Sequence, residues 1–369
     1  MQLSDAWLIS TGVKYEKKEL TKLFDTPGYW DGVTISSTAE SGTAIVHSSE
    51  PTYALPPLPA DNMPDYNLGH VIDRGIYVQA IYNQEKYRFS FGIRYDRNSM
   101  FGDVINPRTS LVYKYNKELI FKLLYGEAFQ EPSPSLLWAS WSGREANPNL
   151  QPEKARNLEG IVMYQKGDMT QEVSLHGARY TNVIKEEAEN VGNRNIYGFE
   201  YRAKTKLPAF LDGVKKPHMY FNYTYTHSES SIYYDYTLGE WQEGTAILGD
   251  IAPYKFNIGL NLPLKEGWNA NVRGNFVSER ELYLRNPLRA QGEKLGAYFV
   301  LNSALSYRYK PFEFTFKINN LLDKNYFHPG GETANSGNDF TQRAVGYNNS
   351  LIPQAGRSWW FNVKWTFGK

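Results

Sequence analysis

The dominant feature of this sequence is an alternation of apolar and polar residues that recurs in stretches of about ten residues. The segments that begin at Tyr87, Tyr254, Trp268, Phe312 and Trp359 each place an apolar side chain at almost every second position. A period of two is typical of a β-strand with one apolar face and one polar face. We find no helical periodicity beyond a turn or two, so we predict an all-β fold.

The connections between the strands alternate between tight turns and long links. About fourteen strands are expected, beginning near Trp7, Gly75, Tyr87, Asn106, Leu119, Arg156, Gln171, Ile196, His218, Tyr254, Trp268, Ala297, Phe312 and Ser358. Tight turns are expected at residues 83–85, 116–117, 166–168, 265–267 and 310–311, and long links at 17–73, 127–153, 228–251, 282–296 and 328–356. Successive connections of an up-and-down sheet lie at opposite ends, so one end is predicted to carry the turns and the other the links.

Composition narrows the class of β protein. Aromatic residues make up 15% of the chain, and rings with one polar end suit a membrane–water interface. A soluble β-sandwich has shorter strands, and its architecture gives no reason for tight turns and long links to alternate along the chain. We therefore predict a transmembrane, antiparallel, up-and-down β-barrel. The net charge of +1 gives no electrostatic reason to expect nucleic acid as a partner.

Six segments resemble motifs of TonB-dependent outer-membrane receptors. Each motif is weak alone, but together they follow the order of the family from about residue 75 onward. They are Phe91–Asp96, Asn106–Tyr113, the paired boxes Tyr125–Ser133 and Asn147–Glu153, Asn195–Glu200, and Asn319–Tyr326, the last followed by Pro353–Arg357 and an aromatic final strand.

The resemblance implies a barrel of about 22 strands that is plugged by an N-terminal domain. It also implies a place in the outer membrane of a Gram-negative bacterium, with outer-membrane lipid as a partner. Such receptors import scarce ligands, and a ferric siderophore or similar iron chelate is the favoured ligand here. Haem is less favoured, because the interval between the paired boxes contains no histidine.

Residues 1–369 are expected to form a single, incomplete domain: the C-terminal part of a barrel, with about fourteen of the family's 22 strands. The plug is expected to be missing, so contact with the TonB complex would occur only through that missing plug. In the family both chain ends lie in the periplasm, which implies that the long links are extracellular.

No arrangement of residues predicts an enzyme, a metal site or a cofactor. The six histidines form no pair at metal-ligand spacing, and cysteine is absent. Neither a nucleophile-elbow motif nor a phosphate-loop motif is present.

Aromatic and arginine side chains concentrate in the long links, where they would meet a ligand from outside. Aromatic faces and guanidinium groups suit a large, partly apolar, anionic ligand. The predicted ligand-binding residues are Trp138, Trp141, Tyr234, Trp241, Arg285, Arg289, Arg343 and Tyr347.

The polar faces of the strands are predicted to line the interior and to meet a plug. These residues carry charges of both signs and several amides: Arg88, Arg94, Glu200, Arg202, Asn271, Arg273, Asn275, Glu313 and Lys317. In the last strand the lipid-facing set is predicted to be Trp359, Phe361, Val363, Trp365 and Phe367, with Asn362 and Lys364 facing inward.

Two other functions remain open at this point. A passive, substrate-specific porin would need a closed barrel without a plug. A structural or adhesive outer-membrane barrel would transport nothing.

Overall fold

The structure is a computed structural model that describes residues 6–21, 68–133, 136–137, 147, 149–185, 188–208, 214, 216–330 and 350–367. Most of these residues lie in β-strands. Helical turns occur at α1 (Pro287–Ala290) and at the 3-10 turn Lys265–Gly267. The strands are β1 (Trp7–Thr21), β2 (Leu68–Asn83), β3 (Tyr87–Asn98), β4 (Gly102–Lys114), β5 (Leu119–Gln130), β6 (Glu153–Lys166), β7 (Met169–Thr181), β8 (Arg194–Lys206), β9 (His218–Asp235), β10 (Glu240–Ile247), β11 (Tyr254–Pro263), β12 (Trp268–Val277), β13 (Arg280–Glu281), β14 (Lys294–Leu295), β15 (Tyr298–Tyr309), β16 (Phe312–Asn319), β17 (Phe327–Pro329), β18 (Leu351–Pro353) and β19 (Ser358–Trp365).

The strand order confirms the predicted up-and-down topology. Fifteen strands form one sheet whose neighbours follow the chain from β1 to β9, then β11, β12, β15, β16 and β19, with β10 paired to β9. All fourteen predicted strands are present, and most begin within three residues of the expected position. The exceptions are β2, which begins at Leu68 well before Gly75, and β4, which begins at Gly102 before Asn106.

The chain divides into two compact units. Unit 1 comprises residues 1–113, 123–158 and 178–194, and unit 2 comprises residues 114–122, 159–177 and 195–369. In unit 1, Ile76, Tyr95 and Ile105 occupy adjacent positions on one face of β2, β3 and β4. Arg94 and Asn106 are paired on the opposite face. Each sheet segment of unit 1 therefore has an apolar face and a polar face.

Unit 2 shows the same division between two faces. Phe361 pairs with Phe316, which in turn pairs with Leu305, so the three side chains lie in one apolar row. Asn362 pairs with Thr315 on the other face. The register places Trp359, Val363 and Trp365 on the face of Phe361 and Lys364 on that of Asn362. That the first set faces lipid and the second the interior stays a prediction.

The link predicted at residues 228–251 is wrong in its conformation. β9 continues to Asp235, and β10 returns beside it as far as Ile247, with an irregularity between Glu243 and Ala246. Two-stranded pairs, β13–β14 and β17–β18, also lie in the long links after β12 and β16. Strands of two or three residues are too short to show a period in the sequence.

Buried apolar clusters lie at the link ends of the strands. In unit 1, Val71, Leu137, Leu150 and Ala188 form one such cluster. Among the described residues, the structure contains no helix with the length and apolar character needed to cross a membrane.

Candidate ligand-binding site

The long-link end of unit 2 is a packed assembly that we call the loop cap, comprising residues 228–251, 278–296, 320–330 and 350–357. Its base is an apolar cluster in which Leu282, Leu295 and Leu351 are almost fully buried. Asn286 joins two links, because its side-chain nitrogen donates to the carbonyl oxygen of Ser350 at 3.0 Å. The links of this end therefore support one another through buried contacts.

Three of the predicted ligand-binding residues meet in one place within the loop cap. Tyr234 and Trp241 are paired across β9 and β10, and their ring centroids are 5.4 Å apart. The Arg285 guanidinium lies 5.1 Å from the centroid of the Tyr234 ring. Tyr236 adds an edge-on contact to Tyr234 at 5.1 Å. We call Tyr234, Tyr236, Trp241 and Arg285 the aromatic cluster.

The local sequence explains how the hairpin presents this cluster. Asp235 starts the turn by accepting a hydrogen bond from the backbone N–H of Thr237 at 2.8 Å. Gly239 ends the turn with a φ of 74°, a conformation that glycine adopts at little cost. The Tyr234 hydroxyl donates to the Gly239 carbonyl at 2.9 Å, which fixes the ring. Aromatic faces beside a guanidinium can hold a flat, anionic ligand.

Arg289 makes structural contacts within the loop cap, and its predicted contact with a ligand stays a prediction. Its guanidinium donates to the carbonyl oxygens of Leu282 at 2.6 Å and of Ile247 at 2.9 Å. Burial lowers the pKa of Arg289. These bonds tie the hairpin to the next link, so any ligand would compete with them for this side chain.

The other four predicted ligand-binding residues, Trp138, Trp141, Arg343 and Tyr347, lie outside the described residues. Their contact with a ligand stays a prediction.

Two charged residues of the loop cap, the buried Arg280 and the half-buried Asp250, were not among the predicted ligand-binding residues. Burial raises the pKa of the Asp250 carboxyl, while the charge of Arg280 opposes that rise. The Arg280 side chain is buried, and its guanidinium carbon lies 6.0 Å from the centroid of the Tyr298 ring. Burial and the charge of Arg280 together lower the pKa of His328. Both residues lie in ordinary polar stretches, so the local sequence does not indicate that either side chain is withdrawn from solvent.

In unit 1, the two predicted interior residues lie on the polar face of β3. Arg88 and Arg94 share that face with Asp96. Arg94 donates through Nε to one Asp96 oxygen at 2.7 Å and through Nη2 to the other at 2.6 Å. The charge of Arg94 is thus already partnered within its own strand.

In unit 2, the remaining predicted interior residues lie on polar faces: Glu200, Arg202, Asn271, Arg273, Asn275, Glu313 and Lys317. Arg202 bonds Glu200 at 2.6 Å and Glu172 at 3.5 Å. Arg308 donates to Glu313 at 2.9 Å. Contact of these residues with a plug stays a prediction.

Within the described parts of the chain, no group of three or more His, Asp or Glu side chains is placed to hold a metal ion.

Comparison with known protein families gives one match. The family described as TonB dependent receptor-like, beta-barrel, matches residues 24–321. A comparison of the sequence with curated proteins gives no significant match.

Solved structures share the fold at low sequence identity. A ferric enterobactin receptor mutant from Pseudomonas aeruginosa, in complex with enterobactin, superposes with a TM-score of 0.66 at 14% identity, covering 98% of this chain and 52% of that one. The FrpB iron transporter from Neisseria meningitidis gives a TM-score of 0.66 at 13% identity, covering 99% and 53%. The ferric citrate transporter FecA gives 0.56 at 15% identity, covering 79% and 44%. The chain thus spans about half the length of the structures that it resembles.

Proposed function

This chain belongs to the family of TonB-dependent receptor-like β-barrels, and we propose that it is the barrel portion of a receptor that takes up a ferric siderophore or a similar iron chelate. Receptor barrels of this family are outer-membrane proteins. A Gram-negative outer membrane, uptake energised by the TonB complex through a plug, and the iron chelate as ligand are all parts of the proposal.

The aromatic cluster is the observation that carries the proposal. Tyr234, Trp241 and Arg285 combine π faces with a cationic group at the end of the strands that bears the long links. Ferric catecholates present flat rings and negative charge, which π faces and a guanidinium can hold, whereas ferric carboxylates present negative charge to the guanidinium. Two of the similar structures are named for enterobactin and ferric citrate, which supplies two probes.

A binding titration tests the ligand class. We expect quenching of intrinsic fluorescence by ferric enterobactin or ferric citrate, and Trp241→Ala should weaken binding by about 0.5–2 kcal/mol if its ring stacks on the ligand. Tyr309→Ala is the matched control, because Tyr309 is an exposed ring at the turn end of β15. Absence of binding by both probes, or equal weakening in both variants, would refute the assignment.

Surface labelling tests the orientation on which the proposal depends. The sequence contains no cysteine, so single cysteines give a clean background. A membrane-impermeant maleimide on whole cells should label Thr237→Cys, in the hairpin turn, and spare Glu266→Cys, in the 3-10 turn. The reverse pattern would place the aromatic cluster on the periplasmic side.

A further inference from the structure

A cavity of about 300 Å³ lies within unit 2 at the foot of the loop cap. Its walls come from β9, from the link between β10 and β11, and from β13 and β14. Thr226, Ser228, Ile251, Arg280 and Lys294 are among the lining residues. The cavity is separate from the aromatic cluster, none of whose residues lines it.

Arg280 is the unusual member of this lining. Only 6% of its surface is exposed, and neither Nε nor Nη1 has a hydrogen-bond partner among the described residues. A buried charge is costly unless it is both paired and hydrogen-bonded. The cavity beside Arg280 therefore calls for a hydrogen-bond acceptor that the described residues do not provide.

The neighbouring charges do not fill that need. Lys294 pairs with Glu281 at 2.8 Å, and His227 pairs with Glu229 at 2.7 Å. Glu279 also lines the cavity, but it is exposed to solvent. The half-buried Asp250 interacts with the charge of Arg280 but forms no salt bridge with it, and its buried Oδ1 atom has no hydrogen-bond partner among the described residues.

We propose that this cavity binds an oxyanion, a carboxylate or phosphate group, on the buried guanidinium of Arg280. Guanidinium groups bind such oxygens strongly, through charge-assisted hydrogen bonds. A bound oxyanion would bridge β13 to the walls formed by β9 and the link after β10. It would thereby stabilise the foot of the loop cap, whether or not the aromatic cluster binds an iron chelate.

The test is calorimetric titration of the purified full chain, in zwitterionic detergent, with inorganic phosphate at constant ionic strength. Wild-type protein should bind phosphate saturably, and Arg280→Gln should weaken the affinity at least about tenfold. Arg280→Lys, which keeps the charge but not the fork of donors, should fall between them. Arg308→Gln is the control, because Arg308 is an exposed arginine paired with Glu313 far from the cavity.

A second variant keeps the test decisive if Arg280→Gln does not fold. Ile247→Trp leaves Arg280 intact and adds volume to the cavity wall, so it should also abolish phosphate binding. No saturable binding by wild-type protein, or full affinity in either variant, would overturn the proposal. Competition by phosphatidylglycerol would assign the oxyanion to a lipid headgroup, and its failure to compete would assign it to a free anion. Because every probe is free of iron, the result is independent of the proposed receptor function.

Discussion

In the sheet of unit 2, the surroundings of a side chain follow from its position along the strand, whereas in the loop cap they do not. Phe361 and Asn362 are neighbours in β19, and the pleat of the strand places their side chains on opposite faces of the sheet. The alternation in the sequence predicts that one face is apolar and the other polar. Arg280 and Glu281 are neighbours in the cap, yet their surroundings differ. Arg280 is buried and two of its nitrogens have no hydrogen-bond partner among the described residues, whereas Glu281 pairs with Lys294. The difference shows that local periodicity governs only the regular part of the molecule.

A substitution at Val363 is the strongest test of whether position along a strand determines the surroundings of a side chain in the sheet. Val363→Lys places a charge on the apolar face, where a lysine near the middle of a bilayer costs about 2–4 kcal/mol. Folding into lipid vesicles, followed as a shift in denaturant midpoint, measures the loss. Asn362→Lys on the polar face is the matched control and should cost much less. Equal losses would show that the two faces of β19 do not differ as the register implies.

Gly249 tests whether close packing contacts, and not the position along a strand, determine the stability of the loop cap. A Cβ atom at this position would overlap the carbonyl oxygen of Leu282, which is backbone and cannot move aside easily. Gly249→Ala should therefore destabilise the protein by about 1–3 kcal/mol and expose the cap to protease.

Gly296→Ala provides the control for that change, since nothing lies within 4 Å of a Cβ built there. Thermal unfolding and limited proteolysis should distinguish the two variants. If they behave alike, the packing between residue 249 and Leu282 is not what holds the cap.

A substitution of Arg289 tests the loop cap in a second way, because it removes hydrogen bonds without adding volume. Arg289→Met leaves the carbonyl oxygens of Leu282 and Ile247 without their donor, which should cost about 1–2 kcal/mol because the site is half-buried. Protease sensitivity of the hairpin reports the effect. Arg308→Met, at an exposed ion pair in the sheet, should change stability by less than about 1 kcal/mol. A larger effect at Arg308 would reverse the expected ranking.

Asp250 gives the smallest effect, and it appears as a dependence on pH. Its pKa in the folded protein is raised above the ordinary value of 3.8 by burial. The folded state therefore holds this proton more tightly than the unfolded state, and stability falls as pH rises from about 3.8 through the folded pKa. The free energy of unfolding is measured against pH for the wild type and for Asp250→Asn. The difference between the two slopes gives the contribution of the Asp250 carboxyl. A difference that is flat with pH, or that rises, would contradict the burial of this carboxyl.

Much of the sheet could be predicted because its determinants are local. The tight turn at residues 310–311 and the alternation from Phe312 to Ile318 both act over a few residues, and β16 lies where they predict. The alternation that ends at Phe367 likewise predicts which side chains of β19 share a face. The extension of β9 to Asp235 was missed, because that link was interpreted as a loop from its length.

The candidate site could be predicted only in part. Tyr234, Trp241 and Arg285 were expected in separate stretches of two links. The hairpin between β9 and β10 pairs the two rings, and the packing of the next link places Arg285 beside Tyr234. Arg289 was expected to contact a ligand, but its position beside two carbonyl oxygens depends on how the two links pack.

By itself, the sequence determined the fourteen long strands of the main sheet, the alternation of their faces and the end at which the long links lie. A strand repeats every two residues, so alternating side-chain chemistry is enough to specify which face is apolar. Only the tertiary structure decided which polar groups of the loop cap are buried, paired or left facing a cavity. Arg280, Asp250 and Arg289 acquire those environments from segments distant in the chain, and such contacts have no period that a sequence could display.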